Sequence, residues 1–92
     1  MEINLFATLR IKSGVKRLEY EPGDSETIQE VLLALDSLLG LPVYNELVNP
    51  DSHTIRPGTM ILVDGKNIHH LQGLDTAVQC GKIDVFPPSG GG

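Results

Sequence analysis

The last stretch of the chain reads Gly81-Lys82-Ile83-Asp84-Val85-Phe86-Pro87-Pro88-Ser89-Gly90-Gly91-Gly92. Residues 82–86 alternate between the two sides of an extended backbone, with Phe86 opposite the aliphatic pair, and this predicts a strand. The two prolines then end the strand, because proline has no amide hydrogen to donate to a neighbouring strand. We therefore divide the chain into a folded domain, residues 1–86, and a flexible tail, residues 87–92.

The other end of the chain alternates in the same way. One side carries Ile3, Leu5, Ala7 and Leu9, and the other carries Glu2, Asn4, Phe6 and Thr8. This period of two predicts a strand over residues 2–9. Residues 15–20 offer a second extended run after the break at Ser13-Gly14, so we expect the two strands to form an antiparallel hairpin.

From Thr27 onward the apolar spacing becomes that of an amphipathic helix. Its stripe consists of Ile28, Val31, Leu32, Leu35, Leu38 and Leu39. We expect Asp24 or Ser25 to cap the N-terminus, because either side chain accepts hydrogen bonds from the free amides of a helix start. Gly40 is placed to end the helix in the left-handed conformation.

Residues 41–59 leave two structures open. One is a small hairpin that pairs residues 46–48 with residues 53–55 across a proline-containing turn. The other is a short helical turn around Tyr44.

A further apolar run, residues 60–63, meets the hairpin signal Asp64-Gly65 and continues into residues 66–68. Together the elements predict an α+β fold, with a mixed sheet of four to five strands packed on one main helix. A hairpin, one helix across the sheet and a final strand are typical of the β-grasp arrangement. We expect the first and last strands to lie side by side and parallel at its centre.

Composition excludes several classes of function. The 92-residue chain has a net charge of −5, which argues against a nucleic-acid partner, since phosphate binding needs clustered Lys and Arg. Its single cysteine, Cys80, excludes an internal disulfide and favours a cytoplasmic location. No apolar run approaches the roughly 20 residues that span a bilayer. His69 and His70 are expected on opposite sides of a strand, so we expect this chain to bind no metal or other cofactor.

The glycine-rich tail suggests a use for its terminal carboxylate. Glycine has no Cβ, and the six residues 87–92 reach roughly 20 Å when extended, so the end can enter a narrow channel in another protein. Attachment of the Gly92 carboxylate to AMP would make it an acyl donor. Attack by sulfur then gives a thiocarboxylate, and attack by a lysine amine gives an amide. The catalytic groups for both reactions would belong to a partner, so the chain is not expected to be an enzyme by itself.

The ending Phe86-Pro87-Pro88-Ser89-Gly90-Gly91-Gly92 resembles the end of the MoaD/ThiS sulfur carriers, and most closely the MoaD branch, the small subunits of molybdopterin synthase. Residues 5–10, 61–68, 71–76 and 81–86 also resemble runs of that family. The family usually ends in two glycines, and here Gly90 makes a third. The longer segment around residues 49–57 is similar to archaeal and other prokaryotic relatives, some of which are protein modifiers.

The resemblance implies a ubiquitin-like β-grasp fold and sulfur carriage. An activating enzyme of the MoaB/MoeB or ubiquitin-activating type would use ATP and Mg²⁺ to adenylate Gly92, with Gly91 as the second residue of the diglycine. The large subunit of molybdopterin synthase would then use the thiocarboxylate to build the dithiolene of the pterin, in molybdenum or tungsten cofactor synthesis. The alternatives are conjugation to lysines as a ubiquitin-like modifier, or sulfur carriage for tRNA or thiamin thiolation.

The sequence also predicts a docking face. If the first and last strands are neighbours, Phe6 and Phe86 meet on the sheet face away from the helix, where Leu62 is expected to join them. An exposed apolar patch of this kind marks a protein interface. The alternative is that the inserted segment covers it. We expect partner contacts at Phe6, Leu62, Phe86, Pro87, Pro88 and Gly90.

Overall fold

The computed structural model describes residues 1–24, 26–78 and 81–88. Within these ranges the elements follow in the order β1 (Glu2–Leu5), α1 (Ala7–Ser13), β2 (Arg17–Glu19), α2 (Ile28–Leu39), α3 (Tyr44–Leu47), β3 (Val48–Asn49), β4 (Thr54–Ile55), β5 (Met60–Val63), β6 (Lys66–Asn67) and β7 (Lys82–Phe86). Two short 3₁₀ helices, Ile68–His70 and Gly73–Asp75, lie between β6 and β7. Six residues named above lie outside the described ranges: Ser25, Cys80, Ser89, Gly90, Gly91 and Gly92.

The main sheet has the strand order β2-β1-β7-β5-β6. Strands β1 and β7 are parallel and central, and the other neighbouring pairs are antiparallel, so the predicted centre of the sheet is confirmed. Helix α2 packs its apolar stripe on one face. The core is formed by side chains with at most 1% of their surface exposed, among them Ile3, Leu5, Ile28, Val31, Leu32, Leu35, Ile61, Ile83 and Val85. The predicted α+β, β-grasp architecture is confirmed.

The predicted strand over residues 2–9 is wrong beyond Leu5. The backbone leaves the sheet at Phe6, turns at Ala7 with a φ of 52°, and continues as α1 to a left-handed C-cap at Gly14. Leu9 is fully buried, so this apolar position reaches the core from a helix instead of from a strand. The antiparallel pairing of β1 with β2 is confirmed, but α1 replaces the tight turn of a simple hairpin.

Helix α2 begins later than the predicted caps allow. The N-cap is Thr27, whose hydroxyl accepts from the Glu30 amide while the Glu30 carboxylate accepts from the Thr27 amide. The cap expected at Asp24 is therefore wrong. Gly40 ends the helix at a φ of 69°, as predicted. Leu38, at the far end of the stripe, is 50% exposed and does not belong to the core.

Both structures considered for residues 41–59 occur, one after the other. Helix α3 contains Tyr44, and β3 and β4 form a hairpin that is shorter than the predicted one. The carboxylate of Asp36, on α2, anchors the start of the segment by accepting hydrogen bonds of 2.8 Å from the amides of Val43 and Tyr44.

The hairpin of β5 and β6 turns at Asp64 and Gly65, as predicted. Both residues have positive φ, 50° and 85°, which is the combination that two-residue hairpin loops require. The second strand is shorter than expected, because Ile68 begins a 3₁₀ helix. None of the helices in the described ranges is long and apolar enough to cross a membrane.

Candidate functional site

The sheet face away from α2 is divided into three rows of side chains that run across the strands. Residues paired across a sheet share a face and lie side by side. The first row is Phe6, Phe86 and Met60; the second is Arg17, Asn4, Asp84 and Leu62; the third is Glu19, Glu2 and Lys82. Strand β7 ends in the first row, so the chain leaves the sheet there on its way to the C-terminal glycines.

The first row contains a stack of three planar groups. The rings of Phe6 and Phe86 lie 4.2 Å apart between centroids, with their planes 10° from parallel. The guanidinium carbon of Arg10 lies 5.0 Å from the Phe6 centroid. Because Phe86 covers one face of the Phe6 ring, the guanidinium takes the other face, where it gains a cation–π contact. We call Arg10, Phe6, Phe86 and Met60 the exit row.

The structure therefore brings Phe6 and Phe86 together on the predicted face, and both rings remain partly exposed. Leu62 lies on the same face but one row further from the tail, opposite Asp84. The neighbour of Phe86 in the exit row is instead Met60, which is 37% exposed. The role of these side chains in binding a partner stays a prediction.

Arg10 owes its position to helix α1. Its Nε donates a 3.0 Å hydrogen bond to the carbonyl oxygen of Leu5, the last residue of β1, and its own carbonyl accepts from the Gly14 amide that closes the helix. The side chain is thus tied to the end of β1 beside Phe6. The sequence pattern does not identify Arg10 as a site residue, because Arg10 lies just past the end of the strand predicted over residues 2–9. Four-residue spacing from Phe6 is the signal that could have identified it, since such residues are neighbours on a helix.

Apart from Leu62, the second row is polar, and its side chains bond to one another and to Glu2 of the third row. The Asn4 side-chain amide donates to Glu2 and to Asp84, at 2.9 Å in each case. Glu2 also lies 3.6 Å from the guanidinium of Arg17. Two of the acidic side chains on this face are therefore already engaged, and the apolar character of the face is concentrated in the exit row.

Beyond the sheet the chain stays close to the body for two residues. Pro87 is buried and Pro88 is half-buried. The residues that carry the proposed chemistry, Gly91 and Gly92, and the expected contact residue Gly90 lie outside the described ranges. The division at residue 87 and the roles of these glycines stay predictions.

The two adjacent histidines lie in a 3₁₀ helix and not in a strand, so the expectation that a strand would separate them is wrong. Within residues 1–24, 26–78 and 81–88, no group of three or more His, Cys, Asp or Glu side chains is arranged to hold a metal ion. The expectation that the chain binds no cofactor stays a prediction.

Comparison with known proteins adds independent findings. The family model described as the ThiS family matches residues 3–92. Small archaeal modifier protein 3 of Haloferax volcanii is 31% identical over 95 residues, which cover 100% of this chain and 98% of that protein. The solution structure of small archaeal modifier protein 1 from Methanosarcina acetivorans is 31% identical, with a TM-score of 0.75 over 99% of this chain and 94% of that one.

A chain of the BexX/CysO complex of Amycolatopsis orientalis has a TM-score of 0.77 at 19% identity, covering 99% of this chain and 98% of that one. At that identity the likeness concerns the fold alone. The matched regions cover 99% of this chain, and therefore include both the sheet and the segment around α3.

Proposed function

The chain belongs to the ThiS family of ubiquitin-like sulfur carriers and modifiers, and from this premise we propose that it is a protein modifier joined to lysine side chains through the Gly92 carboxylate. Members of this family are small carriers on which other enzymes act, so the chain is not itself an enzyme. The observation that best supports the proposal is the 31% identity, over the full chain, to a protein named as a small archaeal modifier.

The proposed chemistry begins with activation of an inert group. A partner of the E1-like activating type transfers AMP from ATP, held with Mg²⁺ in the partner, to the Gly92 carboxylate and releases pyrophosphate. A lysine amine of the target then attacks the acyl carbon, either directly or after transfer to a partner thiol. The bond to the leaving group breaks, the amine loses a proton, and an amide links the two proteins.

The contribution of this chain is to present its C-terminal tail to the partner. The exit row offers a partner two stacked aromatic rings and the exposed thioether of Met60 at the point where the tail departs. When a partner covers apolar surface of this kind, the burial lowers the free energy of the complex. Pro87 is buried against the body, which gives the tail a fixed starting point close to those rings. A partner that binds the exit row would therefore be positioned beside the start of the tail.

A second candidate function, sulfur carriage, is favoured by the match to the ThiS family model over residues 3–92. It begins with the same acyl-adenylate. Sulfide attacks the acyl carbon in place of the amine, the bond to AMP breaks and AMP leaves, the sulfur loses its proton, and Gly92 ends as a thiocarboxylate. Donation to the large subunit of molybdopterin synthase, expected from the resemblance, would be one use of that sulfur, and tRNA or thiamin thiolation would be others.

The experiment that tests the proposal searches for the isopeptide product. Lys82 is the last basic residue, so trypsin would leave residues 83–92 on a modified lysine. A Ser89→Arg variant shortens that remnant to the three terminal glycines, which mass spectrometry of affinity-purified conjugates identifies readily. We expect such remnants on lysines of other proteins, and none from a chain that lacks both Gly91 and Gly92 and so no longer ends in a diglycine.

The two candidates give different results in the same cells. If no lysine carries the remnant while the free chain gains the mass of an oxygen-to-sulfur exchange at its C-terminus, sulfur carriage is the function and the modifier proposal fails. If neither product forms with an activating enzyme that adenylates a related carrier, both proposals fail.

A further inference from the structure

A second feature of the surface lies beside the exit row. An open depression of about 660 Å³ is lined by Asn4, Arg10, Gly14, Val15, Lys16 and Arg17. It is bounded by the ends of β1 and α1 and by the start of β2, at the edge of the sheet. Arg10 is shared, because the same side chain covers the outer face of Phe6. The depression and the aromatic stack are therefore continuous.

The charge of this depression is opposite to that of the whole chain. Three of its lining residues are cationic, although the chain has only seven Lys and Arg and a net charge of −5. No acidic side chain is among the lining residues, all of which are in the described part of the structure. Two acidic groups contact its lining residues: Glu2 lies 3.6 Å from the Arg17 guanidinium and accepts from Asn4, and Asp84 accepts from the same Asn4 side-chain amide. Two carboxylates thus lie beside three cations, and a positive excess remains.

The composition of the site favours carboxylates of a protein as its occupant. The guanidinium groups of Arg10 and Arg17 can each pair with a carboxylate through two parallel hydrogen bonds. A nucleic acid would meet repulsion from a chain that carries 12 acidic residues against seven basic ones. A protein that covers the exit row extends naturally across Arg10 into the depression, because the two surfaces touch.

We propose that this depression, lined by Arg10, Lys16 and Arg17, binds an acidic segment of the partner protein that takes up the tail. The inference rests on the proposed function in one respect, namely that a partner captures the tail. The acidic segment aligns that partner on the sheet edge while the rings of the exit row supply apolar contact. Complementary charge of this type mainly speeds encounter and fixes orientation.

The first arm of the test requires no knowledge of the partner. The isotope-labelled full chain is titrated with a short poly-glutamate peptide and followed by NMR. We expect shifts at the amides of Gly14, Lys16 and Arg17 and at the Arg10 side chain, weakened by salt. A Lys16→Glu/Arg17→Glu variant should lose them. The matched control Lys66→Glu changes a charge on β6, at the opposite edge of the sheet, and should retain them.

The second arm measures adenylation by the activating enzyme. We expect the KM for the doubly reversed variant to rise about tenfold, with kcat unchanged at saturation, because the tail chemistry is intact. Lys66→Glu should leave both constants unchanged, and circular dichroism checks that each variant is folded.

Each remaining outcome is decisive. The inference would be overturned if poly-glutamate caused no NMR shift changes, or if the changes spread over the whole surface. It would also be overturned if polyphosphate caused the changes and poly-glutamate did not. An unchanged KM for the reversed variant would overturn it as well. Failure of the wild-type chain to be adenylated at all would instead count against the proposed function, so the two failures are distinguishable.

Discussion

Phe6 and Phe86, near the two ends of the chain, stack on each other with their ring centroids 4.2 Å apart. The contact follows from the parallel pairing of β1 and β7, which brings Phe6, the residue after β1, and Phe86, the last residue of β7, to the same end of the sheet. The ring contact therefore forms only when the first and last strands of the main sheet are correctly paired. It also places the tail beside a surface that only the folded chain possesses, so that a partner can distinguish this tail from any other glycine-rich end.

We expect Phe6→Ala to lower the free energy of unfolding by about 1–2 kcal/mol, because the variant loses the ring stack, part of its apolar burial and the contact with Arg10. Urea denaturation followed by circular dichroism measures the change. Ile11→Ala, which truncates a side chain that is 80% exposed on the adjacent helix, is the matched control and should change stability by less than about 0.5 kcal/mol. Equal stability of Phe6→Ala and the wild type would show that the stack does not hold the two strand ends together.

Gly81 and Asp64 are expected to be energetically coupled. Gly81 has a φ of 117°, and a Cβ at this position would collide with the Asp64 carboxylate, which accepts a 3.0 Å hydrogen bond from the Lys82 amide. Gly81→Ala should therefore cost about 2–3 kcal/mol, through backbone strain and the collision. Gly73→Ala, at a φ of 59° with open space around the new methyl group, should cost only about 1 kcal/mol.

A double-mutant cycle with Asp64→Gly separates the two causes. Glycine adopts the positive φ of residue 64 without strain, and the collision disappears. The loss in free energy of unfolding caused by Gly81→Ala should therefore be smaller by about 1 kcal/mol in that background. Strictly additive costs would mean that only the backbone conformation of Gly81 matters.

Thr27→Ala is expected to lower stability by about 1 kcal/mol, because it removes the acceptor for the Glu30 amide and breaks the reciprocal capping box. Asp24→Ala should be close to neutral. Thermal unfolding of the two variants side by side decides between the observed cap and the one expected from sequence. A larger loss for Asp24→Ala would mean that the helix start in solution differs from the one described.

The difference between the expected and the observed helix caps shows which parts of the fold could be predicted from the sequence. Thr27 and Glu30 have the spacing of a capping box, so the observed helix start could have been predicted from the sequence. The turn residues that precede it, however, are equally plausible hydrogen-bond acceptors for the free amides of the helix. The stretch from Ala7 to Ser13 is a harder case. Ala7 and Leu9 fit a strand of period two, whereas Leu9 in the core fits a helix equally well, and only the packed fold decides between them.

The candidate site was predictable to the extent that it depends on neighbouring strands. The meeting of Phe6 with Phe86 follows from two parallel central strands, which the order of elements already indicated. Met60 could not be placed opposite Phe86 without the register of β5 on β7, because the uniformly apolar sequence of β5 does not indicate which of its faces is buried. Arg10 could not be placed without α1.

The hydrogen bond from Tyr20 to the Glu26 carboxylate makes stability depend on pH in the alkaline range. That bond, together with burial and the charges of Glu26 and Glu30, raises the pKa of Tyr20 from 10.0 to about 12. Since the folded-state pKa lies above the unfolded one, the stabilising contribution is complete below about pH 10. Between pH 10 and pH 12 the unfolded tyrosine loses its proton while the folded one keeps it, so stability falls.

Urea denaturation at several pH values across this range, on the wild type and on Tyr20→Phe, isolates the effect. Lysine side chains also titrate there, so the quantity of interest is the difference between the two proteins at each pH. We expect that difference to be constant at neutral pH and to shrink as the pH rises through the folded-state pKa, because phenylalanine has no proton to lose. Parallel curves for the two proteins over the whole range would show that the Tyr20 hydroxyl is not held by Glu26 in solution.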